Sequence, residues 1–273
     1  MSILLLSLFL PCFLAAPNEL ILGGTEVPVG KYPFFVRLDM ATSNYRPLLC
    51  GGSLLTDRHV LTAAHCVVGT RLGESWAYIG LTKTADRNAK WVQERTIAKI
   101  SKTLRNVAGQ QNYEGSTDIA VIELSSPVNF TATAKPIKIL RDDSNLVAVN
   151  EQATVMGFGS TGYPNNRPNA FSKVLLAANV TIALPAYCQS KFPNIITSYE
   201  PFVCTVGPGG KGTGAGDSGG PLVANNNGET VQIGLIIGGA NSDDKVTWPD
   251  MYLNTSYYCD FLAQATNNAF TCS

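Results

Sequence analysis

The chain breaks into short β-rich runs divided by turn residues, and that rhythm limits its fold more than any other feature. The runs include Phe34–Leu38, Gly52–Leu55, Ala77–Ile79, Ile119–Leu124, Ala153–Met156, Val174–Ile182 and Val231–Ile237. Turn clusters at Gly162–Pro168, Gly207–Gly212 and Asn225–Gly228 interrupt them. Branched and aromatic side chains suit a pleated surface, while Gly, Asn and Pro take the dihedrals that reversals need. Many strands at this spacing argue for closed or paired barrels. One convincing long helix is predicted, over Tyr257–Ala265, where Tyr258, Phe261, Leu262 and Ala265 recur at helical spacing as a packing stripe. A length of 273 residues suits two small domains or one large one. A break near Ser125–Lys138 offers the link between two barrels.

Composition narrows the class. The chain is 45% hydrophobic and 15% charged, enough apolar matter for a substantial core. Twenty basic and twenty acidic residues cancel, so neither nucleic acid nor an anionic membrane is expected as a partner. Residues 1–16 form an apolar stretch ending in small residues, too short to span a bilayer comfortably, and read as a secretion signal. No membrane association is expected after its removal, and the protein is expected to be secreted and extracellular. Of seven cysteines, Cys12 leaves with the signal. The remaining six are simplest to join as nearest neighbours, Cys50–Cys66, Cys188–Cys204 and Cys259–Cys272, which suits an oxidising compartment. Asn129, Asn179 and Asn254 each head a triplet that accepts N-linked glycans.

The chemistry is concentrated in two hexapeptides. Gly216-Asp217-Ser218-Gly219-Gly220-Pro221 places a serine between glycines, where the backbone turns sharply and main-chain N–H groups can converge on one spot. A serine hydroxyl attacks a carbonyl only if a base takes its proton and donors await the oxyanion. Leu61-Thr62-Ala63-Ala64-His65-Cys66 supplies a histidine for that base, and Asp118, at the head of the apolar run Ile119–Leu124, lies between the two in the chain. The second histidine, His59, reads as a solvated strand residue.

At these residues the chain resembles the trypsin/chymotrypsin family of serine endopeptidases, in motif order over residues 21–265. The resemblance implies an all-β fold of two six-stranded antiparallel Greek-key barrels with a C-terminal helix, the active site lying in the cleft between barrels. It divides the chain into a signal peptide (1–16), a short propeptide (17–20), an N-terminal barrel (21–130) and a C-terminal barrel with the helix (131–273). His65 would be the general base, Asp118 its orienting carboxylate and Ser218 the nucleophile, with Gly216 and Ser218 giving the oxyanion-hole N–H groups. Ile21 would be the mature N-terminus of a zymogen, its freed amine pairing with Asp217. Leu20 before it departs from trypsin-type activation at lysine or arginine. Protein or peptide substrates, possible protein inhibitors and a monomeric state are implied, with no cofactor. Leu81–Gln93 holds a lone acidic residue, Asp86, so no calcium or other metal is expected.

The specificity pocket departs from the family pattern. Gly212, Thr213, Gly238, Gly239 and Asp250 align with its floor, walls and edge. Gly212 replaces the floor aspartate of trypsin, and Asp250 stands where glycine is usual, either reaching a basic side chain or hydrogen-bonded away to leave an apolar slot. Cleavage after small to medium apolar residues, with a weaker basic component, is the expectation. Gly214 stands where a pocket-wall cysteine is usual, and Ala153 and Ala224 where a second bridge is common. The lost wall bridge is the one feature favouring the competing class, a catalytically silent homologue that binds or inhibits another protein.

Overall fold

A computed structural model describes residues 21–43, 47–104, 115–163 and 170–273. The signal peptide, the propeptide and most of the Gly162–Pro168 turn lie outside the described residues. The first barrel closes in the order β2-β3-β4-β7-β6-β5. Its strands are β2 (Phe35–Met40), β3 (Leu48–Leu54), β4 (His59–Thr62), β5 (Trp76–Ile79), β6 (Gln93–Thr103) and β7 (Ala120–Leu124). The second is built from β8 (Gln152–Gly157), β9 (Leu176–Ala183), β10 (Phe202–Val206), β11 (Pro221–Asn226), β12 (Glu229–Gly239) and β13 (Asp250–Asn254). It runs β9-β10-β13-β12-β11-β8 and closes where β8 pairs with β9. All named pairings are antiparallel. Two six-stranded barrels are therefore present, as expected.

Local chemistry explains the elements. Asn226 pairs with Glu229 across a two-residue loop, Asn227-Gly228, whose φ values of 51° and 91° suit the twist of the β11–β12 hairpin. Strand β6 escapes the expected strand runs for a physical reason. Of its eleven residues only Ile97 is buried, and charged groups crowd the rest, so it lacks clean apolar alternation. Helix α1 (Ala64–Val67) is one turn long, α2 (Pro185–Lys191) starts on a proline at its first position, and α3 (Cys259–Ala265) realises the C-terminal helix. Phe261, Leu262 and Ala265 of α3 are buried against the core.

The interior divides accordingly. Val36, Leu38, Met40, Val60, Ile79 and Ile122 fill the first barrel, and Val155, Val180, Leu222, Ile233 and Tyr252 fill the second. A third cluster, with Phe34, Leu61, Val121, Phe158 and Leu235, draws on strands of both and seals the seam between them. Strand β1 (Thr25–Glu26) precedes the first barrel in the chain but pairs with β9 of the second. The chain also crosses back at its end: Tyr258 Oη donates to the Ser116 carbonyl. All three nearest-neighbour disulfides are formed. Ala153 and Ala224, read as the place of a lost second bridge, are both buried and border one surface cavity with Lys31, Tyr32 and Thr154.

Candidate active site

His65 sits on α1, stapled to β3 by Cys66–Cys50, while Asp118 stands between the turn Gly115–Thr117 and β7. Asp118 has no exposed surface, and a lone carboxylate so placed would be costly. It is held at both oxygens: His65 N–H donates to Oδ1 at 2.8 Å, and Nδ1 meets Oδ2 at 2.6 Å. An ionised carboxylate only accepts, so the proton of the ring lies on Nδ1 and Nε2 keeps its lone pair. The imidazole itself is partly exposed at 28%, and its Nε2 bonds no group among the described residues. His59 lies elsewhere on β4, its Nδ1 bonded to Thr56 Oγ1 at 2.8 Å, and burial lowers its pKa.

Ser218 is carried by a loop that both barrels grip. Gly51 N–H of β3 donates to the Ser218 carbonyl at 2.8 Å, and Gly219 N–H donates to Ile236 O of β12 at 2.7 Å. Cys66 Sγ, one residue from His65, approaches the same Ser218 carbonyl at 3.5 Å. Glycine is needed where the barrels meet: a Cβ on Gly51 would lie 2.8 Å from Gly220 Cα. Gly216 adopts φ +96°, a conformation open to glycine, and the amides of Gly216 and Ser218 bond no acceptor among the described residues. The arrangement thus offers a proton acceptor, a hydroxyl and two unspent N–H groups at one seam.

Asp217 is fully buried, with Oδ1 accepting from Gly159 N–H at 2.7 Å and Oδ2 from Gly214 N–H at 2.8 Å. Burial raises its pKa to about 7 despite those two bonds and the pull of Lys245, which is itself paired with Asp250. Ile21 is buried too, and the adjoining Leu22 accepts from Gly212 N–H, so the start of the described chain runs beside the loop leading to Asp217. No bond joins Ile21 to Asp217 among the described residues.

Beside Ser218 lies a cavity of about 130 Å³, lined by Tyr163, Thr213, Gly214, Gly238, Gly239 and Lys245 among others, while Gly212 and Asp250, expected to shape the pocket, stand behind this lining. Asp250 is 2% exposed and fully engaged: Oδ2 accepts from Thr213 N–H at 2.7 Å and Oδ1 from Lys245 Nζ at 2.9 Å. Lys245 also donates to Ala240 O at 3.0 Å. Of the two fates foreseen for Asp250, engagement within the protein is the one found, but with a lysine as the partner. Sequence reasoning missed Lys245 because four residues of loop separate the pair and no periodicity marks it. The signal was Asp250 itself, a carboxylate in an apolar strand that had to find a partner.

Gly214 has no room for a side chain, since a Cβ there would lie 2.3 Å from Ser160 O, so backbone closes the place of the missing wall cysteine. A metal finds little to bind: the ligand atoms of Cys50, His65 and Cys66 cluster, but the two sulfurs are bonded to each other.

Comparison with known proteins agrees with this geometry. The family description "Trypsin" matches residues 21–262. The chain is 31% identical to "Chymotrypsin-2" of Vespa crabro over 79% of this chain and 87% of the relative. It is 30% identical to "Brachyurin" of Leptuca pugilator over 90% and 98%, respectively. The structure of neuropsin, a serine protease of mouse brain, superposes with a TM-score of 0.73 at 27% identity, covering 89% of this chain and 98% of that one. Two closed barrels meeting at a glycine-flanked serine, and a family match across nearly all the described chain, lead to one assignment: the protein belongs to the trypsin family and is a serine endopeptidase.

Proposed function

We propose that this is a secreted, catalytically competent endopeptidase that hydrolyses protein peptide bonds through Ser218, His65 and Asp118. The observation that carries the reading is the double grip of Asp118 on His65, through both the backbone amide and Nδ1. It leaves Nε2 as the free base for the Ser218 hydroxyl, and the negative Asp118 then stabilises the imidazolium that forms. Attack gives a tetrahedral intermediate whose oxyanion is received by the N–H groups of Gly216 and Ser218. His65 returns the proton to the leaving amine, and water repeats the sequence on the acyl-enzyme.

Competence follows release of Ile21. A freed amine gives the buried Asp217 the cation it lacks, fixing the loop that presents the Gly216 and Ser218 amides. The residues before it lie outside the described chain, so cleavage after Leu20 and export by residues 1–16 remain parts of the proposal. The silent-homologue reading rests on the missing wall bridge, and Lys245 with Asp250 ties the same walls.

A fluorophosphonate probe on protein with Ile21 free should label Ser218. His65→Ala and Ser218→Ala should each abolish most turnover while leaving the fold intact. The double variant should lose little more, because the residues act as a unit. N-terminal sequencing of active secreted protein should begin at Ile21. Active protein that retains Pro17, or labelling indifferent to His65→Ala, overturns the proposal.

A further inference from the structure

We infer that Lys245 sets the primary specificity of the cavity beside Ser218, selecting a substrate side chain that ends in a carboxylate or carboxamide oxygen, such as Glu or Gln, before the scissile bond. This rests on the endopeptidase reading above and adds the substrate class. Three observations carry it. The first is that the lysine is built into the cavity wall: it lines the cavity, its side chain is 1% exposed, and its stem packs on Gly212, where a Cβ would lie 2.9 Å from Cγ. Its loop is fixed as well. Asp244 Oδ1 accepts from the amides of Val246 and Thr247, Tyr187 Oη donates to Val246 O, and Lys245 O accepts from Gly207 N–H.

The second observation is a proton inventory. An ammonium has three N–H donors. One goes to Asp250 and one to Ala240; the third has no oxygen acceptor among the described residues, only the face of the Tyr163 ring, whose centroid lies 5.7 Å from Nζ. Tyr163 lines the same cavity; its oxygen accepts from Ala215 N–H at 2.5 Å, and its own hydrogen is likewise unspent among them. Two donors therefore border a small cavity, and the Asp250 carboxylate paired with Lys245 has both oxygens engaged. A substrate oxygen satisfies them; a methyl group leaves them unpaired, which is where a buried polar site discriminates most.

The third observation is charge. Asp250 is already neutralised by Lys245, so an incoming arginine or lysine meets a cation before it meets an anion. The basic component expected from Asp250 alone is thereby removed.

The test uses mature protein and peptides that differ only in the residue before the scissile bond: Gln, Glu, Leu or Arg. Turnover by the wild-type protein should favour Gln and Glu over Leu and Arg by roughly 10- to 100-fold in kcat/KM. Calorimetric binding of the corresponding cleaved peptides to Ser218→Ala reads the pocket independently of catalysis and should give the same order. Turnover failing while binding keeps that order would sink the endopeptidase reading and leave this one standing. Lys245→Met keeps the stem but frees Asp250, so affinity for the Arg peptide should rise by roughly 10- to 100-fold, a gain that misfolding cannot produce. Should that variant not fold, the wild-type binding order still decides. Tightest binding of the Leu or Arg peptide to the protein with Lys245 in place overturns the inference.

Discussion

Substituting Asp217 by Asn should stabilise the uncleaved precursor above neutral pH and destabilise the mature protein. In the uncleaved chain the Asp217 carboxylate is fully buried and its pKa rises from 3.8 to about 7, chiefly through desolvation. The folded state therefore holds this proton more tightly than the unfolded state. Its contribution to stability is intact below pH 3.8, declines as pH rises through the interval to about 7, and is flat above. At about 1.4 kcal/mol per unit, the loss reaches about 4 kcal/mol at pH 8, an upper bound for a site that can relax or admit water. Asn carries no charge and escapes this loss, but it has one acceptor oxygen where two backbone N–H groups donate, so one of the Gly159 and Gly214 amides is left facing its NH2 at a cost of about 1–3 kcal/mol. In a Ser218→Ala background that prevents self-cleavage, urea unfolding should show the Asp217→Asn precursor less stable than its parent at pH 4 by about that amount. At pH 8 the order should invert, the variant being the more stable by about 1–3 kcal/mol. Once Ile21 is free the order should reverse, because the carboxylate then has a cation. A precursor variant no more stable than its parent at pH 8 would refute the reasoning.

Gly51→Ala should cost several-fold to many-fold in turnover and about 1–3 kcal/mol in stability, read by amidase assay and thermal unfolding, since its Cβ would press on Gly220 backbone. Glycan mapping of secreted protein should find occupancy at Asn129 and Asn179, which are exposed, but little at Asn254. There the side-chain amide is drawn to Asp143 and its oxygen accepts from Ser256.

How much of this was legible in the chain depended on how local the determinant was. The two barrels could be read because strands such as β7 and β12 carry dense apolar runs, and α3 because its stripe keeps helical period. Strand β6 could not, since its pairing partners rather than its own pattern make it a strand. His65, Asp118 and Ser218 stood out through their flanking residues, and the structure adds the bonds between the first two. Lys245 stayed hidden because its significance is tertiary. A lysine in a loop of Asn, Ser and Asp reads as solvated, and only the fold brings it under Ser218's cavity. The attachment of β1 to β9 was hidden in the same way, since two exposed residues announce no partner.

The tether between Gly51 and the Ser218 carbonyl has a consequence for how such a molecule can be divided or rebuilt. Each barrel closes its own hydrogen-bond circuit, so each resembles a module that might be exchanged for another. The nucleophile's backbone, however, borrows a donor from β3, and the strip of chain beside that donor has no side chain by which to adapt. Swapping one half for a related barrel would conserve every catalytic side chain and still displace the serine unless the glycine seam came with it. The inheritable unit of this chemistry is the seam, which neither half of the chain encodes alone.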